Sequence, residues 1–187
     1  MKTIIKILGL PRTGTNLMHM LASLNFKEYV CARGEHDQHY LGWKHGLPQK
    51  IEDYLKIEEL TNETIKFIFT IRDFESWKES YTTKHFNSWE NPSRFVDSKK
   101  RVFVTPVGIE IYEDLRHLHF LKTEIYKDFA MQNPDKAIIV PFEDLVKDQR
   151  EVVQRIRDKF NLELMNSNIF TIKKHLDSNS TFVDYRP

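Results

Sequence analysis

Gly9 and Gly14 bracket the segment Gly9-Leu10-Pro11-Arg12-Thr13-Gly14-Thr15-Asn16, and only six glycines occur in the 187-residue chain. The spacing G-x-x-x-x-G is that of a loop whose backbone N–H groups cup an anion at the start of a helix. A nucleotide-triphosphate site would continue with Lys for phosphate charge and Ser or Thr for Mg²⁺. Thr15 and Asn16 stand there instead, which argues against hydrolysis of ATP or GTP. One cation remains inside the loop, Arg12. Farther on, Arg72 and Ser80 stand eight residues apart, a planar fork of donors followed by a hydroxyl, again a set suited to an oxyanion. Trp43-Lys44-His45 places an ammonium beside an imidazole, the side chain whose ordinary pKa lies nearest neutrality.

Apolar patterning supplies the elements that must position these groups. Residues 3–8 form a short β-branched run, read as a buried strand feeding Gly9. From Thr15, the recurrence of Leu17, Met18, Leu21 and Leu24 predicts a helix ending near Asn25. Residues 27–32 are a weaker strand. Residues 66–71 are a nearly continuous apolar strand that runs into Arg72, and the helix predicted over 75–84 carries Ser80. A long amphipathic stretch over 109–131 reads as a helix stopped by Asn133-Pro134, followed by a strand at 137–140 and a helix at 149–160. Strands apolar on both faces, alternating with helices, predict an α/β fold: a three-layer parallel β-sheet with helices on both faces. Ligands in such folds sit beyond the carboxyl ends of the strands, where loops 9–16, 72–80 and 141–145 would converge. The first two carry site chemistry and the third reads as support. No repeat or linker divides the sequence, so residues 1–187 read as a single domain.

In order and spacing these segments resemble the sulfotransferases that use 3′-phosphoadenosine 5′-phosphosulfate (PAPS). Pro11-Arg12-Thr13-Gly14-Thr15 is similar to their 5′-phosphosulfate loop. Arg72 with Ser80 resembles their 3′-phosphate motif, with Asp73 and Phe74 where the family has Asn and Pro. Val140-Pro141-Phe142-Glu143-Asp144-Leu145 resembles their Tyr-Glu-Asp-Leu segment, with Phe142 for Tyr. Lys44-His45-Gly46-Leu47-Pro48 looks like the Lys-Thr-His-Leu-Pro segment that holds a catalytic His in many members, here with Lys and His adjacent.

The resemblance implies a P-loop nucleotide-binding architecture and a set of roles. Arg12, Thr13, Gly14, Thr15 and Asn16 would hold the 5′-phosphosulfate, and Arg72 and Ser80 the 3′-phosphate. His45 would be the general base, with Lys44 and Arg12 stabilising the leaving phosphate. The reaction implied is metal-independent transfer of a sulfuryl group to a hydroxyl or amine on a small-molecule or glycan acceptor, releasing 3′,5′-adenosine bisphosphate. A sulfuryl group in transfer carries less negative charge than a γ-phosphoryl group, so arginine and backbone dipoles can suffice. Glu35 is a rival base, because glycan sulfotransferases use a Glu at about this distance after the loop. The family's C-terminal Arg-Lys-Gly loop has no clear counterpart; Lys173-Lys174 or Arg186 are candidates to substitute for it, and the reading preferred for them is a solvated tail. The competing readings are a P-loop nucleotide kinase and a catalytically silent module of the same fold that binds a glycan or nucleotide.

Composition narrows the partners. With 28 Lys plus Arg against 27 Asp plus Glu, the formal net charge is +1, which gives no bulk attraction for nucleic acid or an anionic membrane. The single cysteine, Cys31, rules out an internal disulfide and fits a reducing, cytoplasmic setting. No run approaches the ~20 apolar residues of a membrane span, and residues 4–10, broken by Lys6, are too short for a signal-peptide core. Cys31, His36, Asp37 and His39 complete no structural zinc pattern without a second cysteine, so no metal is expected. His117 and His119 read as ordinary surface or packing residues. Trp43, Trp77, Phe86, Trp89 and Phe95 are candidates for an aromatic acceptor pocket, with Trp77 read rather as core. Lys99-Lys100-Arg101 reads as a solvated loop, with contact to an anionic polymer as the alternative.

Overall fold

The computed structural model describes residues 2–31, 41–83, 101–105, 108–172 and 185–186. Strands β1 (Lys2–Gly9), β2 (Tyr29–Cys31), β3 (Glu63–Ile71) and β6 (Ala137–Pro141) form a four-stranded sheet in the order β2-β1-β3-β6. Every pair in it is parallel. Side chains of a strand alternate between faces, and here both faces are apolar. Ile5, Ile7, Ile68 and Val140 pack against α1 (Thr15–Asn25), α5 (Phe142–Lys147) and α6 (Gln149–Phe160). Ile4, Leu8, Phe67 and Phe69 pack on the other side against α2 (Ile51–Thr61) and α4 (Leu115–Gln132). Each such buried side chain contributes about 1.5–3 kcal/mol relative to exposure. The result is the expected α/β arrangement of a parallel sheet between two helical layers. Following the carboxyl ends of β1 and β3, Leu10 joins Trp77 and Tyr81 of α3 (Phe74–Thr83) with Tyr112, Leu115 and Leu118 in a third cluster.

The register aligns the strand ends that matter. Gly9 lies opposite Thr70 and Ile71 opposite Pro141, so β1, β3 and β6 finish level with one another. From β1 the chain goes to β2 on one side and then to β3 on the other. The loops after β1 and β3 therefore flank the point where strand order reverses, where open α/β sheets leave a crevice.

Helices α1 and α6 span the residues predicted for them. Asp148 starts α6 by accepting the Glu151 N–H at 3.0 Å, and Asn161 ends it at φ 53°. Strand β3 begins at Glu63 and α3 at Phe74, and β2 is confined to Tyr29–Cys31.

Residues 109–131 are not one helix. β4 (Arg101–Thr105) pairs antiparallel with β5 (Gly108–Tyr112), and α4 begins only at Leu115. The Asp114 carboxylate accepts the His117 N–H at 2.7 Å, and that cap fixes the helix start and leaves Ile109 and Ile111 to the hairpin. Helix α2 leaves little trace in the sequence: it carries two acidic residues in its first turn and buries only Tyr54, so its apolar signal is thin. Short strands β7 (Thr171–Ile172) and β8 (Tyr185–Arg186) pair antiparallel. No helix among the described residues is long and apolar enough to cross a membrane.

Candidate functional site

The loop between β1 and α1 is built on a very close approach. A Cβ on Gly9 would fall 2.5 Å from Thr70 O and 2.7 Å from Thr13 Oγ1, so only hydrogen fits there. Thr13 is buried; its hydroxyl donates to Leu10 O at 2.7 Å and lies 2.9 Å from Thr70 Oγ1, and its N–H donates to Leu10 O. Thr13 thus braces the loop from within. Arg12 takes a left-handed backbone, φ 72°, and Gly14 follows at φ 88°. For a non-glycine residue that conformation costs on the order of 1 kcal/mol and persists only where neighbours enforce it. Arg72 does so, donating from Nη1 to Arg12 O at 3.2 Å. The α1 N-terminus has no side-chain cap and no acidic residue in its first turn, so its positive end is uncompensated from within the helix. Thr15 is buried and Asn16 exposed at that end.

The second cation is held as tightly as the first. Besides the Arg12 carbonyl, Arg72 donates from Nε to Ser76 Oγ at 3.3 Å, and its guanidinium lies 4.3 Å over the Phe142 ring. His119 donates from Nε2 to Arg72 O at 2.8 Å, packed against Phe74 and Trp77. Burial pushes the Arg72 pKa down, Glu143 opposes that, and the nearby Arg12 charge adds to it. Ser80 accepts from Arg12 Nε at 3.2 Å, so one spot gathers Arg12, Arg72 and Ser80. Asp73, where the resembled family has Asn, accepts the Ser76 N–H at 3.0 Å at the start of α3. That bond is the main reason its pKa is lowered. Either residue type can make such a cap, so the departure keeps the local geometry.

Residues 41–46 form the opposite wall. Gly9 N–H donates to Lys44 O at 2.9 Å, and His45 Nδ1 donates back to Gly9 O at 2.7 Å. Three side chains from the body hold the segment's carbonyls. Lys122 Nζ donates to His45 O and Tyr126 Oη to Gly46 O, both at 2.9 Å, and Lys6 Nζ donates to Gly42 O. Lys6 and Lys122 are fully buried. Lys44 Nζ reaches Asn16 Oδ1 at 3.1 Å, which brings a third cation to the start of α1. Trp43 stands edge-on to His45, ring centroids 5.1 Å apart.

His45 is 3% exposed. Burial first, then the charges of Lys44, Lys122 and Lys6, hold its pKa well below 6.5, against the Gly9 bond. The imidazole is therefore neutral at pH 7, with its proton on Nδ1 and its lone pair on Nε2. Between the folded and unfolded pKa values the unfolded chain binds a proton that the folded chain does not. Stability should then fall as pH drops below 6.5, by up to about 1.4 kcal/mol per pH unit for each such proton, and should not depend on this group above that value. His119 is shifted the same way, chiefly by burial. Denaturant melts across pH 5–7.5 should show a shallower acid slope for His45→Asn, which keeps a donor toward Gly9 O. An unchanged slope would mean that His45 titrates normally.

The structure brings Arg12, Lys44, Asn16, Arg72 and Ser80 together around the start of α1, and sets His45 behind them against Gly9. The supporting roles of Lys6, His119, Lys122 and Tyr126 carry no local sequence signal, and Trp77 is core, donating from Nε1 to Pro11 O at 2.8 Å. The rival base Glu35 and residues His36, Asp37, His39, Phe86, Trp89, Phe95, Lys99, Lys100, Lys173 and Lys174 lie outside the described residues. Cys31 is buried, and among the described residues no cluster of three or more His, Cys, Asp or Glu could hold a metal ion. An open depression lined by Lys2, Lys27, Tyr29 and Glu163 lies at the opposite end of the strands, where Glu163 already pairs with Lys27 at 2.8 Å. Comparison with protein-family models, curated proteins and solved structures finds no match to this chain.

Proposed function

We propose that this protein is a sulfotransferase that moves a sulfuryl group from PAPS to a hydroxyl or amine acceptor without a metal. The observation that carries this reading is the meeting of Arg12, Arg72 and Ser80 at the reversal point of the sheet, beside the uncapped start of α1. Two guanidinium groups, a hydroxyl and a helix N-terminus suit tetrahedral oxyanions. The resemblance of residues 11–15, of Arg72 with Ser80, and of residues 140–145 to PAPS-dependent enzymes narrows the oxyanions to the two ends of that donor. When bound, the donor supplies an electrophilic sulfur on a good leaving group, the bisphosphate.

Each residue then has a task. Arg12, Thr15, Asn16 and the Gly14 turn hold the 5′ end, with Thr13 bracing the loop, while Arg72 and Ser80 hold the 3′-phosphate. Lys44 reaches Asn16 at the start of α1, where its charge would stabilise negative charge building on the leaving bisphosphate. The acceptor would attack sulfur in line, and His45, its Nδ1 held by Gly9 O, is the residue assigned to take the proton. The imidazole is neutral at pH 7, as a base must be, and burial lowers its basicity.

Thermal shift and transfer assays test this together. Stabilisation by 3′,5′-adenosine bisphosphate without Mg²⁺ is expected, and a response to ATP that requires Mg²⁺ would favour a kinase instead. Transfer should be lost in His45→Ala and kept in Glu35→Gln. The reverse pattern would move the base to Glu35, and bisphosphate binding without transfer to any acceptor would mark a silent module.

A further inference from the structure

Arg72 is restrained on nearly every side. Its carbonyl is held by His119, its Nε by Ser76 Oγ and its Nη1 by Arg12 O. One face of the guanidinium rests on Phe142, 4.3 Å away. Among the described residues Nη2 makes no hydrogen bond, so that corner of the fork is available to a ligand.

The placement of Phe142 follows from strand register. Ile71 and Pro141 are paired neighbours on β3 and β6, so the residues after them, Arg72 and Phe142, leave the sheet side by side. The same ring also closes on the glycine loop: a Cβ on Gly14 would meet Phe142 Cδ2 at 2.7 Å. Glu143, next in sequence, accepts the Asp73 N–H at 3.1 Å and ties the two chain segments together just past the contact. The working part of residue 142 is thus a ring face. This accounts for a Phe in a segment that otherwise resembles one with Tyr: no hydroxyl is needed to cover a guanidinium.

We propose that Phe142 is a positioning residue for the 3′-phosphate, its ring setting the plane of the Arg72 guanidinium so that Nη2 is the corner presented to the anion. The ligand class rests on the sulfotransferase reading; the positioning of Arg72 by the ring does not. A residue acting on Arg72 alone should affect a ligand with a 3′-phosphate and spare one without it. A residue acting only through Gly14 should affect both.

The test compares Phe142→Leu, Phe142→Tyr and wild type by calorimetric titration with 3′,5′-adenosine bisphosphate and with adenosine 5′-phosphate. In Phe142→Leu the bisphosphate should bind about tenfold more weakly, the scale of a partly desolvated cation–π contact. The 5′-phosphate should bind as in wild type, and Phe142→Tyr should bind both ligands as wild type does. Equal weakening of both ligands, or no weakening of either, would overturn the proposal. A parallel readout needs no ligand: the Arg72 Nε–H resonance should lose its ring-current displacement in Phe142→Leu and keep it in Phe142→Tyr. An unmoved resonance in Phe142→Leu would overturn the positioning role. Failure of wild type to bind the bisphosphate would overturn the donor assignment instead, so the two failures are distinguishable.

Discussion

Arg72→Ala is expected to weaken binding of 3′,5′-adenosine bisphosphate about a hundredfold, the scale seen when one partner of a hydrogen-bonded charge pair is truncated. Two losses combine. The anion loses a donor, and the Arg12 carbonyl loses the Nη1 bond that opposes the strain of its left-handed backbone. Arg72→Lys is expected to recover little, because one ammonium cannot serve Ser76, the Arg12 carbonyl and an anion at once. Titration calorimetry would read both variants. If the lysine variant bound like wild type, Arg72 would be acting as a bare charge and its fork would be irrelevant. If the alanine variant did so, the anion site would lie elsewhere.

Gly9→Ala carries the largest expected effect on the fold. The new methyl would press on the Thr70 carbonyl and on the Thr13 hydroxyl, and the backbone oxygen cannot yield without moving β3. Overpacking of this kind should destabilise by about 3 kcal/mol, which lowers Tm by about 6–12 °C for a chain of this size. The damage should spread, since Gly9 also donates to Lys44 O and accepts from His45. Gly14→Ala is a milder companion at about 1–2 kcal/mol, because a ring edge can turn aside even though φ 88° disfavours a side chain. Thermal and denaturant melts would check the order. A Gly9→Ala protein melting within a few degrees of wild type would show that the junction has slack.

The sheet was legible because burial on both faces writes itself as unbroken apolar runs, as in Phe67–Phe69. The loop at residues 9–16 and the Arg72–Ser80 pair could be read from local spacing. What could not be read depends on contacts between distant segments. Lys6 looks like an interruption of a strand, yet it is fully buried and serves the carbonyl of Gly42, 36 residues away. His119 looks like a packing residue, and only the fold brings it to Arg72, 47 residues earlier. The stretch 109–131 fits helical periodicity well enough to hide a hairpin, and Asp114 decides where the helix begins through one side-chain bond.

The residues on α4 that touch the two walls are His119, Lys122 and Tyr126, spaced at i, i+3 and i+7, which is one side of a helix. The first holds Arg72 and the other two hold residues 45 and 46. Seven residues of helix rise about 10 Å, and that rise cannot stretch without breaking backbone hydrogen bonds. Helix α4 is therefore a ruler laid across the back of the site: the gap between the Arg72 side and the Lys44–His45 side is measured off in helical turns.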